Sequence, residues 1–261
     1  MRKVFFYLKQ LGLNPLQFIS FISHYPGFIK DLRRVKEQLK QQSDFSISKL
    51  YPCLFDKDAK SGSLAQHYFY QDLYVAQKIF EMKPIKHVDI GSRIDGFVAH
   101  LAVFREVEVF DIRSLDKAIP NVSFTEGNIS DTKFSMRDYT DSLSSLHVLE
   151  HFGLGRYGDP ININSHIEGF ENFYHLLKPG GIFYFSVPIG PQRIEFNAHR
   201  VFSITYLLQL FKDKFEVLHF SYVDDHEVFH KEVELTKELI ENNFACNFGC
   251  GIFVLKKLAS F

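Results

Sequence analysis

Between residues 86 and 187 short strand-like segments alternate with longer connecting and helix-length segments, and this alternation restricts the fold more than any other feature of the chain. Runs at 86–90, 107–110, 122–124, 142–146 and 182–187 read as strands. The segments 97–104 and 168–177 carry helical spacing, and the second stops at Lys178-Pro-Gly-Gly181. Strands spaced this way cannot be paired by tight hairpins; they need crossovers, and crossovers bring the strands together in parallel. Two later runs, 215–223 and 251–255, enclose a charged helical stretch at 231–241 and suit an antiparallel edge. The expected fold is α/β: a Rossmann-like, doubly wound, mostly parallel seven-stranded sheet with an antiparallel edge, over residues 61–261. A helix at 64–82 precedes the first strand, and Pro84 marks its end. Residues 1–60 read as a helical N-terminal extension, broken at Asn14-Pro15 and Pro26-Gly27, with 43–63 as a connecting loop.

Charge limits the partners. With 30 basic and 31 acidic residues the chain has no overall field to grip nucleic acid, and no nucleic-acid partner is expected. The N-terminal segment is the exception. Arg2, Lys3, Lys9, Lys30, Arg33, Arg34, Lys36 and Lys40 stand there against Asp31 and Glu37 alone. Together with Phe5, Phe6, Phe18, Phe21 and Phe28 they allow peripheral contact with an anionic membrane or a partner. A helical cap with a solvated basic face is the preferred reading of the two. The 29 Phe residues, with no Trp beside them, read as core filling. Cys53, Cys246 and Cys250 are too few for a disulfide framework, which favours a reducing compartment. The first apolar run is interrupted at Lys9-Gln10 and no cleavage signal follows, so the expected location is cytoplasmic.

Ligands of open α/β sheets bind beyond the carboxyl ends of the strands, at the switch point. Here that locates Asp89-Ile-Gly-Ser-Arg-Ile-Asp-Gly96, which leaves the first strand and opens a helix. Asp111, 22 residues after Asp89, ends the second strand, where a carboxylate can accept from both hydroxyls of a ribose. A dinucleotide needs a second glycine for the pyrophosphate, and Arg93 stands in its place. S-adenosylmethionine carries no phosphate and makes no such demand, so it is the expected cofactor.

Val88-Asp-Ile-Gly91, Asp111, Glu126-Gly-Asn-Ile129, Leu149-Glu-His151 and Leu177-Lys-Pro-Gly-Gly181 together resemble the ordered motifs of class I S-adenosylmethionine-dependent methyltransferases, over about 85–190. The resemblance implies that Asp89 and Gly91 line the methionine part, that Asp111 holds the ribose, and that Asn128 and Ile129 meet the adenine edge. Ser92, Arg93 and Gly96 in the same turn, with His147 after the fourth strand, complete the expected cofactor set. Arg93 and Asp95 replace glycines of the superfamily, and Asn128 replaces its common aspartate. Ser92-Arg-Ile-Asp-Gly-Phe97, Gly153-Leu-Gly-Arg-Tyr-Gly-Asp-Pro160, Phe196-Asn-Ala-His-Arg200 and Cys250-Gly-Ile-Phe253 resemble an uncharacterised bacterial domain-of-unknown-function family, over nearly all of 61–257. That family is similar to methyltransferases, and it is associated with surface-polysaccharide synthesis.

Catalytic candidates are Glu150 and His151 after the fourth strand and His199 after the fifth. Arg156, Tyr157, Asp159 and Arg200 are the expected acceptor-binding residues: guanidinium for a phosphate or carboxylate, Asp159 for a sugar hydroxyl. A turn closed on itself by an Arg156–Asp159 pair is the competing view of that loop. His67, Tyr68 and Gln71 are placed to close over the cofactor. The expected reaction is O-methylation of a sugar in glycan or polysaccharide biosynthesis. The alternative is a non-catalytic module of the same fold that binds a nucleotide-sugar or scaffolds an assembly. His147-Val-Leu-Glu-His151 also matches the inverted zinc-peptidase motif. It follows a strand and precedes a glycine-rich loop, which leaves about one turn of helix to hold an ion. Cys246 and Cys250 have no second pair either, so no metal is expected.

Overall fold

A computed structural model describes residues 7, 11–40, 47–54, 66–131 and 133–259. The chain divides into two units, 1–64 and 65–261. In the first, helix α1 runs Pro15–Leu39 without interruption, with Pro26 inside it. The expected break at Pro26-Gly27 does not occur. A proline deletes one backbone donor, and a helix of 25 residues keeps its neighbouring hydrogen bonds on either side. Phe18, Ile19 and Ile22 on α1 are exposed. Arg2, Lys3, Phe5, Phe6 and Lys9 lie outside the described residues.

The second unit is the α/β sheet. Helix α2 (Gln66–Met82) leads into β1 (His87–Ile90), followed by β2 (Val107–Asp111), β3 (Val122–Glu126), β4 (Thr140–Leu146) and β5 (Leu177–Ile189). A separate hairpin comprises β6 (Arg193–Glu195) and β7 (His199–Val201), and the sheet is completed by β8 (Phe215–Val223), β9 (Phe229–His230) and β10 (Gly249–Lys257). Spatial order is β3-β2-β1-β4-β5-β10-β8-β9. The first five strands are parallel, while β10 lies antiparallel between β5 and β8. The seven expected strands are all present, and the two-residue β9 adds an eighth at the edge. The chain winds outward from β1 through β2 to β3, then returns to β4 on the other side of β1. That reversal is the switch point.

Both faces of the sheet centre are covered, which is why β5 reads as a near-continuous apolar run, whereas β4 buries Ser142, Ser144 and Ser145. Along β5, Phe183, Phe185 and Val187 face α4 (Ser165–Leu176) and α5 (Ile204–Phe211), meeting Phe170, Phe173, Leu207 and Phe211. Ile182 and Tyr184 face the opposite layer, with Val75 and Ile79 of α2. Each buried Phe contributes roughly 1.5–3 kcal/mol through removal of its surface from water, so the Phe-rich composition is core chemistry.

Local details differ from expectation. The helix placed at 97–104 begins earlier, as a π-turn at Ile94–Val98 continuing into α3 (Ala99–Ala102). Lys178-Pro-Gly-Gly181 does not separate helix from strand. Strand β5 begins at Leu177, and its register jumps from Thr140↔Leu177 to Ser142↔Ile182, so Lys178–Gly181 bulges out. Gly180 takes φ +75°, which permits the bulge. Of the charged stretch 231–241 only α6 (Lys237–Glu241) is helical, capped by Thr236.

Candidate functional site

Two adjoining pockets open at the carboxyl ends of β1, β2, β3 and β4. The first encloses about 610 Å³ of empty space, part of it open to solvent. Ile90, Phe110, Ile112, Ile129, Val148 and Phe152 give it apolar walls, and Asp111, Asn128 and Gly91 stand on its rim. The second, of about 930 Å³, is walled by His67, Tyr68, Arg93, Glu150, Arg156, His199 and Phe248. Gly91, Arg113, His147, His151 and Tyr157 belong to both. Gly91 takes φ +67°, and a Cβ there would lie 2.9 Å from Val148 Cγ1, so the turn depends on glycine.

The turn after β1 holds itself. Asp89 is fully buried and lines neither pocket. Its Oδ1 accepts from Ser92 Oγ (2.6 Å) and Ser144 Oγ (2.5 Å), and its Oδ2 accepts from the Ser92 amide (3.0 Å). Burial pushes the Asp89 carboxyl up to about 6, against the pull of those donors. The expected ligand contacts of Asp89 and Ser92 are therefore corrected: both act inside the turn. Gly96 is likewise internal, since a Cβ there would meet the buried Asp72 carboxylate at 2.6 Å. Arg93 does not obstruct the first pocket. It pairs with Asp95 (3.2 Å) and lies over the Tyr68 ring (4.9 Å), at the edge of the second.

Asp111 faces the first pocket but is already engaged. Arg113 donates to both its oxygens, Nε to Oδ1 at 3.0 Å and Nη2 to Oδ2 at 2.7 Å. The same guanidinium lies 4.9 Å from the centre of the Tyr157 ring. Asn128 accepts with its side-chain oxygen from the Ser130 amide (3.0 Å) and hydroxyl (2.7 Å), and its NH₂ makes no hydrogen bond among the described residues. Ile129 is buried and supplies apolar wall.

Three histidines gather on the other side. His151 Nδ1 lies 2.7 Å from the Ala198 carbonyl. Arg156 Nη1 stands 3.3 Å from the same nitrogen, but a carbonyl only accepts, so the shorter contact assigns the proton to Nδ1 and the lone pair to Nε2, 3.8 Å from Glu150 Oε1. Burial lowers the His151 pKa below its usual value, with the Glu150 charge opposing it. His147, in a left-handed conformation (φ 58°), places Nδ1 2.8 Å from Glu150 Oε1 and Nε2 3.3 Å from Cys250 Sγ. Burial alone would lower the His147 pKa, but Cys250 and Glu150 raise it well above 6.5. Burial alone would raise that of Glu150, and His147 brings it below the usual carboxylate value. His199 packs at a tilt against Phe248 (5.0 Å between ring centres), and its Nε2 is 3.3 Å from Glu195, misaligned for a hydrogen bond.

The glycine-rich loop is not closed by the Arg156–Asp159 pair, and it brings Arg156, Tyr157 and Asp159 to the pocket walls. Arg156 does not pair with Asp159: it donates to the Ala198 carbonyl (2.9 Å) and lies over Tyr157 (5.2 Å). Asp159 accepts from the amides of Tyr157 (3.2 Å) and Gly155 (3.3 Å), while still bordering the first pocket. Arg200 is corrected outright. Only 4% exposed, it donates to the carbonyls of Phe152 (2.6 Å), Ile163 (3.1 Å) and Glu150 (3.4 Å), and it lines neither pocket. Gln71 is also internal, accepting from Ser186 Oγ at 2.5 Å, whereas His67 and Tyr68 do reach the second pocket. The sequence reading does not reach Arg113 or Phe248. The first carried a local signal, a guanidinium two residues beyond an acid, and the second carried none.

Comparison with solved structures places the fold. The [4+2]-cyclase SpnF superposes with a TM-score of 0.50 at 12% identity, over 72% of this chain and 82% of its own. The 1,6-didemethyltoxoflavin-N1-methyltransferase of Burkholderia thailandensis, solved with its substrate and S-adenosylhomocysteine, gives 0.52 at 14% identity, over 72% and 79%. At such identities the likeness establishes the fold alone: the chain has the Rossmann-like fold that these structures share. Within that fold class the chain belongs to the family described as Caenorhabditis protein of unknown function, DUF268, whose model matches residues 108–258. No curated protein matches the sequence. Among the described residues, no helix is long and apolar enough to cross a membrane.

Proposed function

We propose that the chain is an S-adenosylmethionine-dependent methyltransferase that methylates a sugar hydroxyl in glycan or polysaccharide biosynthesis. The observation that carries this reading is the pair of pockets sharing one wall, the first apolar and slot-like, the second polar and aromatic. The first suits an adenosyl group: Phe110, Ile112 and Ile129 would flank a flat base, and Asp111 would accept from ribose hydroxyls. Bound there, S-adenosylmethionine supplies an electrophilic methyl group. The second pocket suits a sugar, with Tyr68, Tyr157 and Phe248 for its apolar face and Arg156 and His199 for its hydroxyls. His151 Nε2, its lone pair fixed by the Ala198 contact, would take the hydroxyl proton. Alignment across the shared wall carries most of the acceleration, up to ~7–11 kcal/mol in well-oriented cases.

Arg113 favours a second reading, a binding module for a nucleotide-sugar. A bidentate Asp111–Arg113 pair withholds the acid from a ribose and offers a guanidinium to a phosphate instead. The relation to SpnF is relevant, since a cyclase on this fold shows that architecture does not dictate methyl transfer. Calorimetry separates the two. For the methyltransferase, S-adenosylmethionine and S-adenosylhomocysteine both bind, and Asp111→Ala weakens them at least tenfold, since each hydrogen bond to a charged acceptor contributes ~1.5–3 kcal/mol. Arg113→Ala leaves binding equal or tighter, because it frees the acid. Wild-type protein that ignores both compounds but binds a nucleotide-sugar reverses the assignment.

A further inference from the structure

Three side chains that the proposed methyl transfer does not use converge behind the second pocket. His67 on α2, His147 after β4 and Cys250 on β10 each offer one donor atom, all within 4.8 Å of one another. His147 Nε2 and Cys250 Sγ are 3.3 Å apart. Two ligands on one tetrahedral zinc, with bonds of ~2.0 Å to nitrogen and ~2.3 Å to sulfur, stand ~3.5 Å apart. We propose that His67, His147 and Cys250 bind one zinc-class divalent ion whose fourth position opens into the second pocket.

An independent observation supports it. Glu150 is 1% exposed; its Oε1 is 2.8 Å from His147 Nδ1, and its Oε2 has no partner among the described residues. With the Nδ1 proton donated to that carboxylate, the lone pair of His147 sits on Nε2, the nitrogen that faces Cys250. A carboxylate behind the outer nitrogen of a liganding histidine fixes ring and tautomer in this way at metal sites. The charges close as well: a thiolate and the Glu150 carboxylate balance a divalent cation within a buried region. Two imidazoles and a thiolate select a borderline-soft ion over magnesium or calcium. A nucleophilic role for Cys250 is the other chemistry open to a Cys–His–Glu array. Cys250 is fully buried and lines neither pocket, so no substrate carbon reaches its sulfur, whereas a small ion needs only the histidine side. His67 and His147 both line the second pocket. The coordination position away from Sγ therefore points there, available to water or an acceptor oxygen.

The test needs no S-adenosylmethionine, so its outcome is separate from that of the proposed function. Full-length protein, stripped of metal and then titrated with zinc against a chromophoric chelator, takes up one equivalent. Cobalt substitution gives a thiolate-to-metal charge-transfer absorption that disappears in Cys250→Ser. His67→Ala, at a half-buried helix position, loses stoichiometric uptake while keeping the wild-type far-ultraviolet circular dichroism, which covers the case of a Cys250 variant that does not fold. Glu150→Gln binds ~10–100-fold more weakly, the effect of losing an outer-sphere carboxylate. Less than a tenth of an equivalent of zinc on wild-type protein overturns the proposal. So does a cobalt spectrum without the sulfur band, or wild-type affinity in His67→Ala.

Discussion

His151→Ala lowers turnover by ~10²–10⁴-fold, the contribution of a positioned base, and leaves S-adenosylmethionine affinity within twofold of wild type. The split follows from where the ring stands. His151 borders both pockets, but its Nδ1 is tied to Ala198 on the hairpin side, so Nε2 is the only ring atom left for chemistry. Cofactor contacts belong to other residues, Asp111 and the apolar slot. The pH dependence has a definite sign. Burial lowers the His151 pKa, so the neutral base persists below 6.5, and kcat/KM stays flat through neutral pH. The acid limb then begins below the ordinary histidine value as protonation removes the lone pair. Steady-state rates with a sugar acceptor, measured from acid to neutral pH, check both statements. Unchanged turnover in the alanine variant, or an acid limb that survives it, assigns proton removal elsewhere, with His199 next in line.

The sheet was legible because β5 is apolar along its buried core and the connections between the parallel strands are long. Strand β4 is the exception, with Ser142, Ser144 and Ser145 buried in it, so its place and the switch point at Gly91 followed from spacing. What lay beyond reach was the direction of polar side chains in loops. Asp89 and Ser92 sit where a ligand-binding turn is expected, yet the turn satisfies its own backbone with them. Asp111 was found from its position at a strand end, while the Arg113 fork on it depends on side-chain conformation that spacing does not encode. Cys250 lies 103 residues from His147 and meets it only because β10 inserts antiparallel beside β5. No local pattern announces such a pairing. Reading Cys246 and Cys250 as a sequence pair therefore set the question in the wrong place: the neighbours of Cys250 are His147, just after β4, and Gln71 on α2.

Arg200 gives the second large effect, and it is structural. Replacing it by alanine removes donors from three loop carbonyls, the buried one of Glu150 and the part-buried ones of Phe152 and Ile163, and leaves a space where a side chain only 4% exposed was packed. A buried acceptor left unpaired costs ~1–3 kcal/mol. Three sharing one guanidinium do not add fully, which places the total near 3 kcal/mol. For a unit of this size each kcal/mol moves the melting temperature by ~2–4 °C, so Arg200→Ala melts roughly 6–12 °C lower. Lysine does not rescue it, because a single ammonium cannot span the fork that meets Phe152 from one nitrogen and Ile163 from the other. Activity falls with stability, since these bonds fix the segment 150–163 that carries His151, Arg156 and Tyr157 to the pocket rim. A substrate-gripping Arg200 would behave oppositely: KM would rise with the melting temperature unchanged. Thermal unfolding beside steady-state kinetics on the alanine and lysine variants distinguishes the two, and a stable Arg200→Ala with raised KM would return this residue to the acceptor site.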